Sequence, residues 1–115
     1  MIATGGTCRK LIVDSSAPFH EVRTIEDARQ LYGKLGDSTH VTIVGAGVIG
    51  LEVAASAKKR GLDVSVVEYG SQVMNRNKPA NFASKLTELT DKRGVVFHMN
   101  DCCKPVTVAD SGHSF

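Results

Sequence analysis

The segment VTIVGAGVIGLEVAASAKKRGLDVSVVE, residues 41–68, decides how this chain folds. From His40 to Val44 the residues are β-branched and apolar without alternation, the pattern of a strand buried on both faces of a parallel sheet. Three glycines follow, Gly45, Gly47 and Gly50, and beyond them Ile49, Val53 and Ala57 recur on one helical face. Lys58, Lys59 and Arg60 suit the negative end of a helix that stops at Gly61. DVSVVE, residues 63–68, then reads as a second buried strand.

Working outward, the N-terminal side predicts a helix. Thr24 with Asp27 three positions on makes a capping-box-like start, Ile25, Ala28, Leu31, Tyr32 and Leu35 recur at helical spacing, and the pattern ends near Gly36. On the C-terminal side, Pro79 precedes Phe82, Leu86 and Leu89 at helical spacing, closed by Gly94, and VVFHM from Val95 reads as a third strand. The sheet segment is therefore βαβαβ. Right-handed crossovers give the strand order 3-2-1, so the fold class is α/β, a Rossmann-like half of a doubly wound parallel sheet.

Each glycine has a task that requires the absence of a side chain. Gly45 lets the chain turn sharply out of the strand, Gly47 lets the backbone approach a pyrophosphate, and Gly50 lets helix and strand pack closely. The amides that open the helix are unpaired donors at the positive end of its dipole, so a diphosphate can bind there without a lysine. Glycine-rich turns also serve ordinary strand–helix packing, and the motif alone is weak. Its context is stronger: it follows a buried strand and opens a helix, and an acid, Glu68, ends the next strand 68 − 45 = 23 positions after Gly45. A carboxylate there can accept hydrogen bonds from the adenosine ribose hydroxyls and repel a 2′-phosphate, which favours NAD over NADP. The alternative is a plain surface glutamate at a strand end. Arg76 and Lys78 in the following loop are basic groups that could instead accept a phosphate.

Composition bounds the remaining possibilities. The chain has 115 residues, 42% hydrophobic and 23% charged, the balance of a soluble globular protein with one modest core. A net charge of +2 with interleaved signs offers neither a basic stripe for nucleic acid nor a polybasic membrane patch. The apolar runs fall far short of the roughly 20 residues that span a bilayer, and MIATGGTCRK lacks a secretory apolar region, so a cytoplasmic location is expected. Cys8, Cys102 and Cys103 match neither a disulfide framework nor a C-x-x-C site and read as reduced thiols. His20, His40, His98 and His113 are scattered without metal-ligand or base–nucleophile spacing, so no metal site is expected.

The longer stretch VTIVGAGVIGLEVAASAKKRGLDVSVVEYGSQVMNRNKPA, residues 41–80, resembles the NAD-binding domain of the flavoprotein ferredoxin reductases that serve aromatic-ring dioxygenases. These enzymes lie within the wider pyridine nucleotide-disulfide oxidoreductase superfamily. The resemblance runs from residue 1 to about residue 100: IATGG resembles the segment closing the first part of the FAD domain, and VRTIEDARQL resembles the helix connecting the two domains. GLE and VMNRN are its more specific features, because the glycine motif is shared by many NAD and FAD enzymes. The resemblance implies a reductase that moves a hydride from NADH onto FAD and passes electrons singly to a ferredoxin, its partner. It implies that Gly45, Ala46, Gly47, Val48, Ile49 and Gly50 form the pyrophosphate loop, that Glu68 is the ribose-binding acid, and that Arg76 lies near the adenosine. Glu52 matches a glutamate beside the nicotinamide, a catalytic candidate, although a carboxylate early in a helix also gains ~0.3–1 kcal/mol from the dipole with no ligand. Thr4 and Gly5 resemble a single turn of a flavin site and no more of it.

The resemblance divides the chain into a connector at residues 1–39, an NAD-binding βαβαβ domain at residues 40–100, and a tail or the start of a β-meander at residues 101–115. No earlier G-x-G-x-x-G for FAD and no later Gly-Asp segment occur, so the expectation is an incomplete sheet in a fragment or truncated reading frame. Retained FAD is not expected of it. Two further readings stay open: the NAD domain of a rubredoxin, nitrite or coenzyme A disulfide reductase, and an inactive nucleotide-binding piece.

Overall fold

The computed structural model describes residues 1–8, 11, 18–74 and 80–101. Arg76, Lys78, Pro79, Cys102, Cys103, His113 and the side chain of Phe82 lie outside the described residues, as does nearly all of the expected meander. The elements run α1 (Ile25–Gly36), β1 (His40–Val44), α2 (Val48–Lys59), β2 (Asp63–Glu68), α3 (Ala80–Asp91) and β3 (Val95–Met99). The strands form one parallel sheet in the order β1-β2-β3, with Ile43 opposite Val66 and Val66 opposite Phe97. This is the expected 3-2-1 order, and the fold is a Rossmann-like βαβαβ half.

Alternation along the strands puts Val41, Ile43, Val64, Val66, Val95 and Phe97 on one face. That face carries the core: Ile43, Val64, Val66 and Val95 are buried against Leu51, Ala54 and Ala57 of α2, Ala83 of α3 and Leu35 of α1. Each fully buried valine contributes about 1.5–3 kcal/mol relative to an exposed one. The expectation of strands buried on both faces is not met. Val44 is 43% exposed and Val96 is 53% exposed on the opposite face. The reason lies in the topology: two right-handed crossovers stepping in the same direction lay α2 and α3 on the same side of the sheet.

Two helical stripes are also corrected. In α2 the buried residues are Leu51, Ala54 and Ala57, whereas Ile49, two positions before Leu51 and so on the far side of the helix, is 52% exposed. Small alanines let this helix lie close to the strands. In α1 only Leu35 is buried and Leu31 half-buried, while Ile25, Ala28 and Tyr32 are exposed. The helix starts as expected: Thr24 Oγ1 accepts from Asp27 N at 3.2 Å, and Asp27 Oδ2 accepts from Thr24 N at 2.7 Å. Exposed Tyr32 has a different partner. The Arg60 guanidinium lies 3.6 Å from its ring centroid, and Arg60 Nη1 donates to the Tyr32 carbonyl at 3.2 Å. This pair ties α1 to the end of α2. Among the described residues, no helix is long and apolar enough to cross a membrane.

Candidate functional site

The site grows from the end of β1. Gly45 takes φ +100°, a left-handed value that a side chain resists, and its N–H donates to the Val67 carbonyl at 2.8 Å. The chain thereby turns across the tip of β2 instead of continuing as a strand. Ala46 is fully buried at the bend, and its carbonyl accepts from Met74 N at 2.8 Å. Gly47 is the N-cap of α2 and its carbonyl accepts from Leu51 N at 3.0 Å, with no side chain capping the helix. A Cβ on Gly47 would meet no atom within 4 Å, so the space in front of the turn is open. Gly50 is the reverse case: a Cβ there would run into the Gly45 carbonyl oxygen and lie 3.4 Å from Ile43 Cγ2. The third glycine is therefore demanded by packing, and the second leaves room for a ligand.

Glu68 closes the arrangement from the next strand. Its Oε2 accepts from Ala46 N at 2.7 Å and its Oε1 accepts from Gly70 N at 2.8 Å. The tip of β2 is in turn bound to β3, with Asp101 N donating to the Glu68 carbonyl at 3.1 Å and Asn100 N to the Gly70 carbonyl at 3.0 Å. The residues singled out in the sequence thus fall at one edge of the sheet: Gly45, Ala46, Gly47 and Gly50 make the turn, Val48 and Ile49 form its exposed rim, and half-buried Glu68 abuts it. Glu52 stands exposed on the second turn of α2, with no hydrogen bond or ion pair to any described residue. Arg76 lies outside the described residues.

Gly70 also belongs to the site, although the sequence did not single it out, and so does Met74, which stood out only as part of VMNRN. Met74 adopts φ +53°, unusual for a bulky residue, and supplies the N–H that fixes Ala46 from the side opposite Glu68. Neighbouring Val73 is fully buried. VMNRN stands out as a motif, but nothing in residue type announces that a methionine amide will hold the turn.

The donor set suits a dinucleotide. Backbone amides at an uncapped helix start, an open space before Gly47 and an acceptor-only carboxylate match a diphosphate and a ribose diol. A separate cavity of about 350 Å³, lined by Phe19, His20, Glu21, Asp27 and Gln30, shares no residue with the turn. Among the described residues, no group of three or more His, Cys, Asp or Glu side chains is arranged to hold a metal.

A parallel sheet with a glycine turn between β1 and α2 and an acid at the tip of β2 defines the Rossmann-like α/β class. Residues 1–113 match the family described as pyridine nucleotide-disulphide oxidoreductase, and the chain belongs to that family. It is 34% identical over 114 residues to the ferredoxin–NAD(+) reductase component of the anthranilate 1,2-dioxygenase system of Burkholderia cepacia, covering 97% of this chain and 28% of that protein. It is 36% identical over 102 residues to the rubredoxin–NAD(+) reductase of Pseudomonas putida, covering 87% of this chain and 26% of the relative. Among solved structures, the ferredoxin reductase for the CYP199A2 system of Rhodopseudomonas palustris superposes with a TM-score of 0.88 at 33% identity, covering 94% of this chain and 27% of the other. The chain spans about a quarter of the length of the relatives it matches.

Proposed function

We propose that the chain binds NADH and belongs to a flavoprotein reductase that carries electrons from NADH through FAD to a ferredoxin of an aromatic-ring dioxygenase system. The observation that carries this reading is the 2.7 Å hydrogen bond from Ala46 N to Glu68 Oε2, which joins the glycine turn and the strand-tip acid in one site. The diphosphate lies against the amides that open α2, with Gly47 leaving the space for it. The ribose hydroxyls donate to the lone pairs that Glu68 retains after binding Ala46 and Gly70. A 2′-phosphate would bring a second anion against this carboxylate and lose a donor, so NADH is preferred. In this reading residues 40–100 are the cofactor domain, residues 1–39 connect it to the flavin domain, and residues 101–115 lead onward. Glu52, on the exposed side of α2, faces the nicotinamide end.

Thr4 and Gly5, which resemble part of a flavin segment, are both exposed. In this reading the share of residues 40–100 in the transfer is to bind and orient the nicotinamide cofactor. A second reading replaces the ferredoxin with a rubredoxin and is favoured by the Pseudomonas putida relative. Both readings share the cofactor step. Calorimetric titration of the chain with NADH tests it: saturable binding is expected, and no heat with either NADH or NADPH would sink both.

A further inference from the structure

Glu68 has a second task that a ribose acceptor does not need. We infer that Glu68 is a positioning residue, whose carboxylate sets the conformation of the glycine turn through the Ala46 N–H before any cofactor arrives. The inference rests on the NADH reading for the identity of the ligand, but not for the clamp itself.

Ala46 is fully buried. Its N–H has no route to bulk water and needs a protein acceptor, which Glu68 Oε2 supplies at 2.7 Å. The other oxygen is anchored by Gly70 N at 2.8 Å, so the carboxylate is gripped at both ends and cannot swing away from the turn. The remaining fixings of the turn are backbone to backbone: Gly45 N to Val67 O and Met74 N to Ala46 O, each 2.8 Å. Glu68 holds the turn through its side chain, and so offers a point at which a substitution can release it. The two tasks are compatible. Two carboxylate oxygens offer about four lone-pair sites, the clamp uses two, and two remain for the ribose diol. The benefit is preorganisation: the amides that meet the diphosphate are aimed in advance, and binding carries less ordering penalty.

Glu68→Gln separates the clamp from the ribose contact. The amide is nearly isosteric and its oxygen can still accept, but its NH₂ must confront either Ala46 N–H or Gly70 N–H, donor against donor. In the full chain without cofactor, amide exchange followed by NMR should show Ala46 protected. In Glu68→Gln, exchange at Ala46 or Gly70 should rise by about tenfold or more, as expected when a bond to a charged acceptor is lost, while the Val64 and Val66 amides stay unchanged. Glu68→Asp keeps both oxygens on a shorter arm and should fall between the two. A second arm uses the form of NADH that lacks both adenosine ribose hydroxyls, so that no hydroxyl remains to meet Glu68. Glu68→Gln should bind it at least about threefold more weakly than the unmutated chain does, because the turn is loosened whatever the ribose carries.

An unprotected Ala46 amide in the unmutated, cofactor-free chain overturns the inference, and so does Glu68→Gln exchange equal to the parent's. Equal affinity of the two proteins for the dideoxy cofactor confines Glu68 to the ribose and also overturns it. If Glu68→Gln does not fold, the unmutated chain and Glu68→Asp decide. A protected Ala46 in a chain that binds no NADH supports the clamp while removing the proposed function, so the two failures are distinguishable.

Discussion

Gly50 lies against the peptide of Gly45, close enough that a Cβ on Gly50 would overlap the Gly45 oxygen and stand 3.2 Å from its carbonyl carbon. Because the obstructing atoms are backbone, Gly50→Ala must lift the start of α2 away from β1. Overpacking of this kind costs ~1–3 kcal/mol. The urea midpoint should fall with the slope unchanged, and NADH affinity should fall with it. A variant as stable as the parent would mean that helix and strand can separate freely.

Gly47→Ala makes the opposite forecast. A methyl there meets no atom within 4 Å, and φ is −79°, so the folded chain accommodates it. Alanine is a poorer N-cap than glycine, but it also restricts the unfolded chain, and these opposed effects, each ~0.5–1 kcal/mol, nearly cancel. Stability should hardly change while NADH binding drops by at least about tenfold, because the methyl takes the place of the diphosphate. Titration and urea unfolding of the same sample check this. Unchanged affinity would show that the diphosphate lies elsewhere.

Gly45 and Gly50 were legible in the sequence because a sharp turn and a close helix–strand approach follow from backbone geometry at fixed spacings, and the spacing also placed Glu68 against the turn. The strand order followed from the βαβαβ alternation around the glycine motif, the pattern of a Rossmann half. The errors have a common origin in burial that depends on neighbours. Periodicity marks Ile49 and Ile25 as apolar, but it does not say that the glycine turn carries Ile49 beyond the sheet or that α1 meets the core only through Leu31 and Leu35. The left-handed Met74 and its bond to Ala46 arise from the path of the loop after β2, which no local pattern fixes.

The capping box predicts an acid-sensitive α1. The carboxyl of Asp27 is held below its ordinary value of 3.8 by the backbone N–H of Thr24 first, then by the Thr24 side chain and the backbone N–H of Arg23. A folded-state value below the unfolded one means that the contribution is fully present above the unfolded value and is lost as pH falls through the folded one. Asp27→Asn should therefore lower the thermal midpoint at neutral pH, and the gap from the parent should narrow below about pH 4. A gap that stays constant down to strongly acidic pH would mean that the Asp27 charge does not hold the start of α1.

Arg60 and Tyr32 provide a test of how α1 is held. An exposed cation–π contact is worth ~0.5–1 kcal/mol, and the bond from Nη1 to the Tyr32 carbonyl adds to it. Arg60→Ala should loosen α1 selectively, seen as faster amide exchange in Ile25–Gly36 with β2 unaffected. Arg60→Lys keeps the charge but not the planar stacking fork, so it should recover only part of the loss. Uniform exchange across both elements would show that the pair does not act locally.

Cofactor choice turns on the same carboxylate that holds the glycine turn. In the proposed site Glu68 faces the adenosine ribose hydroxyls while holding Ala46 N and Gly70 N. Glu68→Ala removes a charged acceptor worth ~1.5–3 kcal/mol to each hydroxyl that it binds, and it leaves the buried Ala46 N–H without its partner. NADH binding should weaken on both counts. NADPH binding loses the second contribution but gains from removal of the carboxylate that repels its 2′-phosphate. The preference for NADH over NADPH should therefore narrow, even though neither cofactor binds better than NADH does to the parent. Arg76 is the competing influence, since a guanidinium reaching the 2′ position would admit the phosphate and one lying over the adenine would aid both cofactors equally. Calorimetric titration of parent and variant with both reduced cofactors resolves the matter. Equal or tighter NADPH binding by the parent would overturn the NADH assignment and make Arg76→Ala the next variant to measure, with the dinucleotide fold left standing.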